Sequence, residues 1–457
     1  MDAKLPDIAL AEHLADRILA VDAGKLPSAA REKCEETTID VIGLCIAARN
    51  EDYVGSALAG WDEDGPCTAI GHKRAVSAAG AAFSNGTAAH GEDFDDTFEG
   101  GPVHAGAVIV PAVLAIGERY KLDGKAALEA IAVGVELMCR LGLVAPKMVH
   151  KAGFHPTAVF GAMGAAAAVA KALRLDKKQT VDALGVVGSM ASGIIEYLAE
   201  GTWTKRMHAG WAAQSGMRAA LLARAGFSGP RTVFEGVHGF FHGFANTTEG
   251  NFEAVAGDFG SRWLTQSLAF KLYPCGTMTH PYIDCARRLG KRGIKPDDVV
   301  EMVCDVGEGT VHRLWEPLAA KQEPKNGYSG KFSQPYCIAA GFIRGNVGLS
   351  DFSDAAVHEP AVVALAKKVR YRIDPDNPYP DNFTGHIRLT LRDGTVLEDR
   401  QPHMRGGAHE PLSRKDIEDK FLLNARHGGY DAARAKSALD LAKNVLGSRI
   451  DLSPLRG

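Results

Sequence analysis

Apolar residues recur at three- and four-residue spacing through the first part of the chain, and alternate at two-residue spacing only well beyond its middle. Leu10, Leu14, Ile18 and Val21 fall on one helical face. Pro27-Ser28 opens a second predicted helix that carries Cys34, Ile39, Ile42 and Ile46. Asp123-Gly124 precedes a long one through Leu128, Ile131, Val135 and Met138, and Asp176 to Thr180 starts another through Leu184, Val187 and Met190. The stretch Gly161-Ala162-Met163-Gly164-Ala165-Ala166-Ala167-Ala168 has alanine-rich faces, which let helices approach closely. No apolar run reaches the ~18 residues of a spanning helix. Such helices therefore belong to a tightly packed interior that buries them all round.

From about position 268 the texture changes. Positions 299–306 read as a strand. His386-Ile387-Arg388-Leu389-Thr390-Leu391-Arg392 alternates apolar and polar, Asp393-Gly394 marks a tight hairpin, and Val396-Leu397 starts the return strand. Pro375, Pro378 and Pro380 make the preceding connection irregular. Ser413-Arg414-Lys415-Asp416 is a capping box, and 430–445 reads as an amphipathic helix. The predicted fold is mainly α. A large all-helical domain spans 1–267, a smaller α+β domain is inserted at 268–400, and helices over 401–457 return to the first domain. No internal repeat interrupts this order.

Length agrees with two or three domains, since 457 residues exceed one small core. A net charge of -3 leaves no electrostatic footprint for nucleic acid or an anionic membrane, so neither is expected as a partner. The start Met1-Asp2-Ala3-Lys4-Leu5-Pro6 lacks the basic-then-apolar order of a secretion signal. The eight cysteines are scattered, none in a C-x-x-C pair, and most sit in apolar runs. These features predict a reducing, cytoplasmic setting and no structural zinc.

The chemistry concentrates in a few short stretches. His90-Gly91-Glu92-Asp93-Phe94-Asp95-Asp96-Thr97, with Glu99 and His104 after it, sets five carboxylates and two imidazoles between apolar runs over 78–89 and 108–116. That flanking predicts a lined pocket rather than a solvated tip. Three readings stand side by side: a metal held by His90, Asp93, Asp95, Asp96 and His104; carboxylates that cap helix starts; and acid–base chemistry by a buried carboxylate and an imidazole. In Gly153-Phe154-His155-Pro156-Thr157-Ala158 a helix starts at Pro156, and a histidine at a helix start is held neutral. Thr202-Trp203-Thr204-Lys205-Arg206-Met207-His208-Ala209-Gly210 sets two cations and an imidazole just before a helix predicted over 211–225, a natural carboxylate receptor or a solvated basic turn. Trp203, Met207 and Trp211 argue against full exposure. Lys271 lies in an apolar stretch, and Tyr336 at a helix start, where either a substrate contact or a satisfied core tyrosine fits.

No G-x-G-x-x-G, no G-x-x-x-x-G-K-[ST] and no G-x-S-x-G occurs, so no cofactor is expected. A carboxylate base, several imidazoles and two or three cations fit abstraction of a proton alpha to a carboxylate, with loss of a beta substituent.

These stretches, in this order, resemble the MmgE/PrpD family: Asp93-Phe94-Asp95-Asp96-Thr97 with His104, Gly153-Phe154-His155-Pro156-Thr157, Thr204 to Gly210, Lys271-Leu272-Tyr273-Pro274-Cys275-Gly276, and Phe332-Ser333-Gln334-Pro335-Tyr336. The family includes 2-methylcitrate dehydratase, cis-aconitate decarboxylase and iminodisuccinate epimerase. The resemblance implies a helical domain with the α+β insertion as a lid, a homodimer, and metal-free chemistry on a small polycarboxylate. It implies Asp93, His104, His155 and Tyr336 as catalytic, and Thr97, Lys205, His208 and Lys271 as substrate-binding. The expected activity is a hydro-lyase acting on a hydroxylated di- or tricarboxylate of 2-methylcitrate type. Decarboxylation of cis-aconitate type, epimerisation, or a non-catalytic carboxylate-binding relative are the alternatives. Two departures stand out. Many members have His-Pro-Ser where this chain has His104-Ala105-Gly106, and the loop from Phe98 to Val103 carries Glu99 in place of the usual Trp and His. Fewer substrate carboxylates, or a different kind of substrate, would follow.

Overall fold

Helix starts fall where a side chain can satisfy the first free amides. In the computed structural model, which describes residues 6–101 and 103–457, Asp123 accepts from the Ala126 amide at 2.8 Å and opens the Gly124–Gly142 helix. Asp176 and Gln179 form a capping box at the Lys177–Gly188 helix, and Ser413 with Asp416 does so at Arg414–His427. The reading of the amino-terminal start falls on residues 1–5, and part of the Glu99 loop on Pro102, both outside the described residues.

The chain is mainly helical and forms two compact units, each with its own core. One comprises residues 1–91, 95–269 and 413–457, the other 92–94 and 270–412. The first unit is built from Leu10–Ala20, Ser28–Ala47, Ala78–Gly91, Gly106–Tyr120, Gly124–Gly142, Pro156–Ala172, Lys177–Gly188 and Thr204–Arg224, with Arg414–His427 and Ala432–Asn444 from the C-terminal segment. It is not helix alone. Asp64–Thr68 pairs antiparallel with Ala75–Val76, and Thr97–Phe98 with Leu268–Ala269. These pairs are too short for a two-residue period to stand out in sequence.

Helices in this unit meet at glycine and alanine. A Cβ on Gly210 would lie 2.0 Å from the Phe83 carbonyl oxygen, and one on Gly216 2.5 Å from the Ala165 Cβ. The Thr204–Arg224 helix thus touches backbone on both the Ala78–Gly91 and the Pro156–Ala172 helices. This contact brings His208 and His90, on crossing helices, to one locus. Gly210→Ala forces the Phe83 turn away, and overpacking of this kind costs ~1–3 kcal/mol in a chemical melt. An unchanged midpoint would show that the helix crossing has slack.

The second unit holds a four-stranded sheet in the order Val369–Ile373, Val299–Val306, Gly385–Leu391, Val396–Gln401. The first pair is parallel and the others antiparallel. The strand at 299–306 and the Asp393-Gly394 hairpin stand where alternation put them; Val369–Ile373 was not anticipated. Met302, Cys304, Val306, Ile387 and Leu389 bury one sheet face with Ile283, Cys285, Leu289, Ile338 and Phe342 from the helices His280–Gly290 and Gln334–Arg344. All eight cysteines are buried and free, as small hydrophobes. Among the described residues no helix is long and apolar enough to cross a membrane.

Candidate active site

The acidic segment is no solvated tip, for Asp93, Asp95, Asp96 and Thr97 are all buried. In the first unit its residues join a column of four imidazoles. His90 ends the Ala78–Gly91 helix, His155 is the N-cap of Pro156–Ala172, His208 lies in the opening turns of Thr204–Arg224, and His104 lies in the loop before Gly106–Tyr120. Ring centroids run 5.1 Å from His104 to His90, 5.6 Å from His90 to His155 and 5.3 Å from His155 to His208. Tyr197 packs edge-on against both His155 and His208. The loop holding His155 is pinned by its own amide to the Gly193 carbonyl at 2.8 Å and by the Ile195 amide to Gly153 at 3.0 Å.

Two carboxylates order the column. Asp95 Oδ2 lies 2.6 Å from His90 Nδ1, with both side chains out of solvent. Asp96 accepts from the amides of Ala105 at 3.1 Å and Gly106 at 2.9 Å, and so caps a helix that starts ten residues later. Its backbone carbonyl lies 2.7 Å from His104 Nδ1. A carbonyl only accepts, so Nδ1 carries a proton and donates it to that bond. The Ala105-Gly106 departure has a structural consequence here. Proline at 105 would remove one donor to Asp96, and a Cβ at 106 would sit 2.3 Å from Asp96 Oδ1.

Burial, with the Asp95 charge next, pushes the Asp96 carboxyl up to about 7. Burial first, and then the positive charges of His90 and Lys205, push His208 down to about 4 and His155 well below the ordinary imidazole range. His155 is held neutral as expected, but by burial and neighbouring charge rather than chiefly by the helix start.

The His208 shift gives a pH dependence whose sign is fixed. The unfolded ring protonates near 6.5 and the folded ring near 4. Stability from the neutral ring is present above 6.5 and lost as pH falls through that window, about 3 kcal/mol in all. Asp96 works the other way between 3.8 and about 7, because folding there favours its protonated form. The difference in unfolding free energy between wild type and His208→Asn isolates the imidazole. It narrows by about 3 kcal/mol from pH 7 to pH 4 in urea melts; a constant difference would show that His208 is not held neutral.

The remaining predicted residues divide between the units. Thr97 is buried in the short strand opposite Ala269. Lys205 is half-buried and acts on His155 and His208 through its charge. The basic stretch does not precede its helix: Thr204–Arg224 already includes Lys205, Arg206 and His208, since no glycine or proline delays its start. Arg206 covers the Tyr53 ring at 4.4 Å. Trp203 is 49 % and Trp211 38 % exposed, so the interleaved aromatics shield this stretch only in part.

In the second unit Lys271 donates to both Oδ1 and the carbonyl of Asp93, each at 2.9 Å, with both side chains buried. Asp93 stands at φ 57°, a left-handed turn that Asp tolerates better than most residues. Lys331 grips the neighbouring Glu92 through its carbonyl at 2.7 Å and its carboxylate at 2.5 Å. Tyr336 is fully buried, and its hydroxyl donates to the Asp351 carbonyl. Donation to a substrate would require it to exchange that partner. His90, which the sequence offered only as a metal ligand, stands in the imidazole column of the first unit, paired with Asp95.

Of the five residues weighed as metal ligands, His90, Asp95 and His104 bring one ligand atom each within 4.8 Å, the one such trio among the described residues. Asp93 is turned to Lys271 and Asp96 to backbone amides. His90 and His104 each have a protein partner at Nδ1.

Known proteins resemble the chain over most of its length. The cis-aconitate decarboxylases of Mus musculus and Homo sapiens are 33 % and 32 % identical over 355 and 360 residues, in each case 76 % of this chain and 71 % and 72 % of theirs. The cis-aconitate decarboxylase of Aspergillus terreus is 27 % identical across 94 % of this chain and 91 % of its own. The MmgE/PrpD N-terminal domain model matches residues 12–253 and the C-terminal domain model residues 273–444. With the ordered motifs and the buried histidine–carboxylate site, this places the chain in the MmgE/PrpD family.

Proposed function

We propose that this protein is a cofactor-independent lyase acting on a small polycarboxylate, and that its reaction is decarboxylation of cis-aconitate type. The observation that carries the reading is the buried imidazole column, with His104 Nδ1 held by the Asp96 carbonyl and Lys205 supplying a fixed positive charge. The names of the relatives favour decarboxylation over the dehydration that the residues alone put first. Dehydration of a 2-methylcitrate-like acid is the second reading, supported by the same acid–base groups.

The chemistry asks for what these residues offer. Cis-aconitate can lose the carboxylate of its saturated arm as CO2. The electrons of the broken C–C bond then form a new double bond, the old π pair takes a proton at the vinylic carbon, and an unsaturated dicarboxylate results. The net change is one proton consumed per CO2 released. His104, its tautomer fixed by the Asp96 carbonyl, is the proposed donor; a protonated Nε2 delivers the proton and is recharged from solvent. His155 and His208, held neutral, accept or donate hydrogen bonds without repelling Lys205. Lys205 and Thr97 bind substrate carboxylate. What supports roles for Asp93, Lys271 and Tyr336 is their place in the family's ordered motifs.

Purified protein assayed with cis-aconitate, citrate and 2-methylcitrate after exhaustive chelation tests this. CO2 release from cis-aconitate, unchanged by chelator, is the expected result. Water loss from 2-methylcitrate without CO2 release would establish the second reading, and no turnover of any of the three would reject both.

A further inference from the structure

Two imidazoles and a carboxylate meet at one end of the column, and the proposed proton transfer uses only one of the three. We propose that His90, Asp95 and His104 form an inhibitory site for a borderline divalent cation of the zinc type, which silences the enzyme by occupying His104. The site rests on the function above in one respect, that His104 carries the proton. The ion takes no part in that reaction, and the chelated protein is the active form.

The donor set is compact. One ligand atom from each residue lies within 4.8 Å of the others. His90 Nδ1 is 2.6 Å from Asp95 Oδ2, and His104 Nδ1 is 3.7 Å from Asp95 Oδ1. Tetrahedral zinc, with bonds of about 2.1 Å, sets its ligand atoms about 3.4 Å apart. The pairs here bracket that spacing, so small ring rotations seat the ion. Two imidazoles to one carboxylate select zinc or cobalt over magnesium and calcium, which take oxygen ligands.

The surroundings single out these three. Asp93 faces Lys271, Asp96 the Ala105 and Gly106 amides, and Asp40 the buried Lys420 at 2.8 Å. His155 and His208 face each other with 3.1 Å between their Nδ1 atoms, one ring further along. His90 Nε2, by contrast, is buried without a hydrogen-bond partner, a nitrogen with free energy to gain from a ligand. Entry is by way of His104, whose side chain is 12 % exposed, while those of His90 and Asp95 are out of solvent. All three belong to the first unit, His90 from the Ala78–Gly91 helix and the other two from the segment that follows it.

The test is titration of the full-length, chelated protein with Co2+, followed by visible absorption and by turnover of cis-aconitate. One Co2+ per chain is expected to give the d–d bands of a four-coordinate site. Co2+ or Zn2+ abolishes turnover until chelator restores it, and Mg2+ does neither. His90→Gln and Asp95→Asn lose the bands, and their binding weakens beyond the ~10- to 100-fold that loss of a supporting group costs. His104→Gln loses the bands as well, and decides the matter should the other two fail to fold. Absence of bands in wild type, or bands that persist in His90→Gln, overturns the proposal. So does a thiolate charge-transfer band, which places the ion on a cysteine, or an ion at the trio that leaves turnover intact. A wild type that turns over no polycarboxylate rejects the proposed function, while the cobalt spectra still judge the site.

Discussion

His104→Gln is expected to lower kcat on cis-aconitate by ~10²- to 10⁴-fold, the range for loss of a positioned acid–base group. The reason is local. The Asp96 carbonyl at 2.7 Å fixes the proton on Nδ1, and the Thr157 hydroxyl oxygen accepts from the His104 amide at 3.2 Å. The ring is thereby oriented, and its side chain is 12 % exposed, enough for exchange with solvent. Glutamine keeps much of the volume and a hydrogen-bonding end but cannot deliver a proton near neutral pH. The substitution should therefore leave KM within a few-fold and the thermal midpoint unchanged. A variant that retains kcat within threefold would remove His104 from the chemistry and shift attention to His155.

The second large effect is on stability. Lys271→Met is expected to destabilise the protein by ~3–5 kcal/mol, a sizeable share of the 5–15 kcal/mol that holds a typical domain together. Lys271 is 1 % exposed and donates to both the carboxylate and the carbonyl of Asp93, so methionine takes away two buried charge-assisted hydrogen bonds and the cation facing that carboxylate. Adding Asp93→Asn should recover part of the loss, because asparagine tolerates the left-handed turn and removes the buried charge that Lys271 had faced. Urea melts of the two single variants and the double variant give the coupling directly. A Lys271→Met protein as stable as wild type but inactive would mean that the lysine serves the substrate more than Asp93.

Much of this was legible in the chain. Caps at Asp123, Asp176 and Ser413 follow from local chemistry, and each is made as the sequence implies. The strand at 299–306 and the hairpin at Asp393-Gly394 follow from alternation and a turn residue. The order of five motifs was enough for the family. Other features escaped because their causes are distant. Asp93 and Asp95 look equivalent in sequence, two carboxylates two positions apart. A left-handed turn at Asp93 and a lysine 178 positions away separate them, so that one faces a cation and the other an imidazole. The Lys205 helix starts seven residues before the predicted point, because Thr204 and Lys205 carry no stop or start signal strong enough to place it.

By itself the sequence determined which elements form and which residue types gather in each motif, since capping, periodicity and turn chemistry act over a few residues. Only the tertiary structure decided what each carboxylate and imidazole does. The charge of a buried group depends on its nearest partner and on the water it has lost, and neither is written within its own segment. Asp96 became a helix cap with a carboxyl near neutral, Asp95 the partner of His90, and His155 and His208 neutral rings. Crossing helices drawn together at Gly210 and Gly216 gave the column its geometry.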